Sequence, residues 1–202
     1  MTQISRRIGV TVVAVGLLLG VARPAQAALI LTMEEVAGDV VLSGGGTADL
    51  TGLVSGPGLG EAVLAPFFGL ALLGADPLVQ KSVDSYPLLN GPAGFGPSLL
   101  STLPTSGSGD RFGIAGTASR LAVPANYASG DPLSATNMYA GATFASLGVT
   151  PGTYVWTWGS GRTTDSLTLR IGPAAVPEPV SLFLLAVGVA GLGVRRWRRR
   201  TA

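Results

Sequence analysis

The 202-residue chain contains neither cysteine nor histidine. Without cysteine there is no disulfide framework, no thiol nucleophile and no thiolate metal site. Without histidine there is no Ser-His-Asp triad and no imidazole ligand. Charge is scarce as well, at 12% of residues against 47% hydrophobic, and aromatics make up only 6%. No Gly-x-Ser-x-Gly elbow, Walker loop, calcium loop or zinc pattern occurs. These absences predict no catalytic residue, no metal and no cofactor, and a protein that is not an enzyme.

The formal charge of +2 and the isoelectric point near 9.4 mislead, because most basic residues lie near the ends. Between Ala28 and Glu178 the basic residues are Lys81, Arg111, Arg120, Arg162 and Arg170, five against eleven acids, a net of −6. An acidic middle offers no basic patch, which excludes nucleic acid as a partner.

What is present begins with an export signal. Arg6 and Arg7 precede the 14-residue apolar stretch Ile8–Val21, and Ala25-Gln26-Ala27 supplies a small-x-small cleavage site after Pro24. Met1–Ala27 therefore reads as a signal peptide recognised by the Sec translocon and cut by signal peptidase at Ala25/Ala27, so that the mature chain starts at Ala28. Arg-Arg-Ile-Gly lacks the rest of a twin-arginine pattern. The apolar stretch is too short to favour an uncleaved anchor.

A second organised stretch spans residues 173–202. Val176-Pro177-Glu178-Pro179 precedes the uncharged run Val180–Val194, which is followed by Arg195, Arg196, Trp197, Arg198, Arg199 and Arg200. Pro179 suits a first helical turn, where a missing N–H costs nothing. The arginines favour the cytoplasmic side of a membrane. Fifteen residues reach roughly 22 Å against about 30 Å of hydrocarbon, a gap that arginine snorkelling and bilayer thinning close.

Val-Pro-Glu-Pro, a short transmembrane segment and an Arg-rich end, in that order, resemble the PEP-CTERM sorting signal of Gram-negative bacteria. The resemblance implies an exported protein handled by exosortase, with Val176, Pro177, Glu178, Pro179, Arg195, Arg196, Arg198, Arg199 and Arg200 as recognition residues. It also implies a transient stay in the inner membrane, then the cell surface or extracellular matrix, and an association with exopolysaccharide and biofilm.

Residues 28–172 read as the exported domain. Leu29–Val36 and Val40–Ser43 are rich in β-formers, with Gly38-Asp39 as a hairpin turn. Gly44-Gly45-Gly46 reads as a turn, and Thr47–Leu53 as a weak third strand. Residues 54–109 carry little legible pattern. Within them, Glu61–Leu73 is broken by Pro66 and Gly69 and fits buried strands or loops, and Gly91–Pro97 is loop by composition. Leu103-Pro104-Thr105-Ser106-Gly107 approaches a Gram-positive sortase signal by coincidence.

Arg111–Gly116 pairs with Arg120–Val123, and Asn137–Phe144 is a further strand. Pro151-Gly152 opens the clearest hairpin, Thr153–Trp158 with Asp165–Ile171. This last hairpin also resembles one found in many small PEP-CTERM cargo proteins. Short strands with Gly/Pro turns predict an all-β fold, a small β-sandwich.

Two constellations could carry function. Tyr154, Trp156 and Trp158 share one face of a strand, suited either to stacking on sugars or, as their bulk favours, to filling a core. Glu34, Glu35, Asp110 and Asp165 are candidate carboxylates for glycan hydrolysis, although each also suits a solvated turn or strand edge. The readings left open are a surface or matrix component, a carbohydrate-binding module, a carboxylate-dependent glycan-acting enzyme, and an unprocessed single-pass membrane protein with a periplasmic domain.

Overall fold

The computed structural model describes residues 28–87, 90–116 and 120–172, apart from the Arg162 side chain. Two six-stranded sheets face each other across one core. The first holds β1 (Ala28–Val36), β2 (Asp39–Gly46), β7 (Ser106–Gly109), β10 (Leu133–Tyr139), β11 (Gly152–Trp158) and β12 (Asp165–Ile171). Their order across the sheet is β11-β12-β1-β2-β10-β7. The second holds β3 (Gly56–Gly60), β4 (Val63–Ala65), β5 (Leu70–Leu73), β6 (Lys81–Pro87), β8 (Phe112–Ala115) and β9 (Arg120–Pro124), in the order β3-β6-β9-β8-β5-β4. The predicted all-β sandwich is what forms. Among the described residues every ladder is antiparallel except β1 with β12, which run parallel from Ala28↔Ser166 to Met33↔Ile171.

Alternation produces the core. Leu29, Leu31 and Met33 of β1, Leu42 of β2 and Leu167, Leu169 and Ile171 of β12 point inward, while Thr32, Ser43 and Thr168 between them do not. They meet Leu73, Phe112, Ile114, Leu121 and Val123 of the second sheet in a single cluster. Each such side chain contributes about 1.5–3 kcal/mol on burial. A one-turn helix, α1 (Phe144–Leu147), adds Leu147; Thr143 caps it, accepting from the Ser146 N–H while the Ser146 hydroxyl accepts the Thr143 N–H.

Several local expectations hold. β8 and β9 pair as anticipated, as do β11 and β12, and Gly91–Pro97 is loop. The broken stretch Glu61–Leu73 becomes β4, a 3-10 turn at Pro66–Phe68 and β5, with Gly69 left-handed at φ 60°.

Others are corrected. The first hairpin turns at Ala37-Gly38, φ 53° and 92°, because a two-residue turn with both φ positive matches the twist of its strands. The glycine triplet is not a turn but the end of β2, paired with β1 on one side and β10 on the other. Two of the three have no room for a side chain: a Cβ on Gly44 would collide with Leu31, and one on Gly46, whose φ is +128°, with the Ala28 carbonyl.

Thr47–Leu53 forms no strand. Its N–H groups are taken by side chains instead: Ala48 donates to the Tyr127 hydroxyl, Asp49 to Asp165 and Leu50 to Ser129. The strand expected over Asn137–Phe144 runs from Leu133 to Tyr139, because Gly141 at φ 66° and the Thr143 cap end it. β3, β6 and β7 arise from the stretch with little legible pattern; β7, Ser-Gly-Ser-Gly, has no apolar residue to announce it.

Candidate functional site

The β11–β12 hairpin carries the aromatic triplet. Trp156 lies opposite Leu167 and Trp158 opposite Asp165, and both indoles are fully buried. Trp156 Nε1 donates to Pro92 O at 3.1 Å and Trp158 Nε1 to Asp49 O at 2.8 Å. Tyr154 is half-buried, with its ring edge-to-face on Phe95 at 6.1 Å and its hydroxyl donating to Thr150 O at 2.9 Å. Neither indole shows a ring face to solvent, so the rings are committed to the core.

Of the four candidate carboxylates, Glu34 and Glu35 are adjacent on β1, Asp110 lies between β7 and β8, and Asp165 opens β12; three of them bind backbone. Asp165, only 4% exposed, accepts the N–H groups of Asp49 and Ser166, each at 2.7 Å. Burial nevertheless holds its carboxyl above the usual range. Asp110 accepts Ser134 N–H at 3.0 Å, and Glu35 accepts Phe144 N–H. Glu34 is half-buried, on β1. Among the described residues the charged neighbour of Asp165 is Asp49, held below the usual range by its hydrogen bonds to Thr51. That neighbour is missed by sequence reasoning, since nothing local marks a contact spanning 116 positions. Among the described residues no group of three or more His, Cys, Asp or Glu side chains could hold a metal ion.

The outward face of the first sheet carries a shallow depression of about 370 Å³, lined by Thr32, Ser43, Gly45, Ser108, Ser134 and Thr136 among others. Thr32, Ser43, Thr136 and Ser108 face one another in register across four strands. The missing side chain at Gly45 provides its depth.

The chain leaves the sandwich through β12. Ile171 pairs with Met33 on one side and Gly152 on the other, and Gly172 N–H still donates to Met33 O at 3.1 Å. From there only four residues, 173–176, stand before Pro177, which full extension puts at most roughly 17 Å away. Residues 175–200 match the profile of the PEP-CTERM protein-sorting motif.

The chain carries a PEP-CTERM sorting motif. The motif implies an exported protein sorted to the cell envelope, with exosortase as processing partner. All nine expected recognition residues, from Val176 to Arg200, fall inside the matched interval but outside the described residues, as does the apolar run 180–194. Ala25, Ala27 and the rest of the expected signal peptide also lie outside them. Among the described residues no helix is long and apolar enough to cross a membrane. No curated protein and no solved structure matches the chain.

Proposed function

We propose that this is a non-enzymatic surface or extracellular-matrix component with a structural or interaction role in exopolysaccharide or biofilm. The observation that carries the reading is the match of the PEP-CTERM motif at residues 175–200, five residues or fewer beyond a β-sandwich that needs no disulfide. The Sec translocon delivers the chain and signal peptidase removes Met1–Ala27. Residues 180–194 lodge in the inner membrane with the arginines inside, and exosortase acts near Pro177-Glu178-Pro179. Engagement of Asp165, Asp110 and Glu35 by backbone N–H groups supports a structural rather than a hydrolytic use of these carboxylates.

The test is the intact mass of the protein from its host, with the cell fraction recorded. A species lacking both Met1–Ala27 and the stretch after about Pro179, outside the inner membrane, is expected. A species keeping Arg195–Arg200 in the inner membrane would instead make it an unprocessed single-pass protein with a periplasmic domain.

The hydroxyl-lined depression favours a second reading, a carbohydrate-binding module. Retention on isolated host polysaccharide, lost in Ser43→Ala/Thr136→Val with the fold intact, would support it. Equal retention of both proteins would exclude that face.

A further inference from the structure

The topology places the strand that leads to the sorting motif inside the first sheet, paired on both sides. β12 lies between β11 and β1, and it runs parallel to β1 over six residue pairs. Ala28 and Ser166 mark one end of this ladder, Met33 and Ile171 the other, and the chain exits beyond Ile171. Tension entering through Gly172 and resisted at the Ala28/Ser166 end of the sheet therefore acts along the strands. Along that direction the ladder is sheared, so its hydrogen bonds share the force; a pull across the strands would open them one after another.

The hairpin is also fastened sideways to distant segments. Trp156 bonds to Pro92, Trp158 to Asp49 O, and Asp165 to Asp49 N–H. Asn90 and Thr157 exchange two backbone hydrogen bonds, at 2.9 and 3.3 Å. Withdrawing β12 with β11 would break all of these and expose two fully buried indoles.

We infer that the sandwich bears tension: the parallel β1–β12 ladder, reinforced by these bonds, holds the domain together when it is pulled through its link to the sorting motif. The point at which force enters rests on the sorting reading, but the resistance rests on register alone, so a force measurement without exosortase separates the two.

The chain has no cysteine, so one introduced thiol gives a unique attachment point. Ala128 and Ala140, both exposed, flank β10, which puts them at opposite ends of the first sheet. The full chain in detergent is pulled from a C-terminal handle against Ala128→Cys, which shears β12, or against Ala140→Cys, at the end where the chain exits, which peels it sideways. The Ala128→Cys geometry is expected to need a peak force at least about twofold higher, because the paired bonds yield together. Equal forces, or a lower force along the strands, would overturn the proposal. If either variant fails to fold, exposed Thr51→Cys replaces the first and exposed Val36→Cys the second.

Discussion

Asp165 and Asp49 hold one another across 116 positions of chain: the Asp165 carboxylate accepts the Asp49 N–H at 2.7 Å, although both residues are acids. On the other side of the same residue, Asp49 O accepts the Trp158 indole N–H at 2.8 Å, and Trp158 faces Asp165 in the hairpin register. One strand pair thus grips a residue of the connection between the two sheets by both its N–H and its C=O.

Removing the indole donor tests this grip. Trp158→Phe should destabilise the fold by about 1–3 kcal/mol, because Asp49 O loses its partner, and Trp158→Ala by about 3–5 kcal/mol. Urea unfolding midpoints distinguish them. A Phe variant as stable as the parent would show that water replaces the indole without loss.

Asp165 makes a pH prediction with a definite sign. Burial, the largest influence, raises its folded pKa above the unfolded value in spite of the two N–H bonds it accepts. Its contribution to stability is therefore fully present below the ordinary carboxylate value and is lost as pH rises through the folded one. Relative to Asp165→Asn, the parent should gain stability as pH falls from 7 towards about 4. Denaturant titrations of both proteins at the two pH values measure this; a constant or reversed difference would refute it.

The glycine triplet predicts a ranking. Gly44→Ala meets the end of the Leu31 side chain, which can shift, and should cost about 1–3 kcal/mol. Gly46→Ala meets the Ala28 backbone and must also hold φ at +128°, so it should cost more. Thermal unfolding of the two variants orders them, and a milder Gly46→Ala would contradict the pairing of β2 with β1 at its end.

Arg111 organises the loop before β6. It is only 3% exposed, and its Nη2 donates to the carbonyls of Ala75 at 2.5 Å, Asp76 at 3.2 Å and Val79 at 3.3 Å, while Nε and Nη1 are buried with no partner among the described residues. Burial lowers its pKa below the usual guanidinium value. Arg111→Met releases three carbonyls. Trypsin should then cut faster after Lys81, which pairs with Asp76 at 2.9 Å. Unchanged cleavage would mean that the loop holds its shape without the arginine.

Much was legible before any contact was known. The alternation in Thr153–Trp158 and Asp165–Ile171 marks both strands of the last hairpin and places Leu167, Leu169 and Ile171 inside, since side chains on successive residues must point to opposite faces. The order Pro-Glu-Pro, apolar run, arginines marks the sorting motif, because the motif is one contiguous stretch of sequence.

The three glycines at 44–46 look the same whether they end a strand or make a turn. What decides is the proximity of Leu31, Phe112 and Ala28, brought there by pairing with β1 and packing against the second sheet. Thr47–Leu53 has some strand-like alternation, but Tyr127, Ser129 and Asp165 accept the N–H groups of Ala48, Leu50 and Asp49 in place of a ladder. The parallel pairing of β1 with β12 likewise has no local cause. Periodicity specifies which side chains must be buried; which strands meet to bury them was settled by closing one core between two sheets.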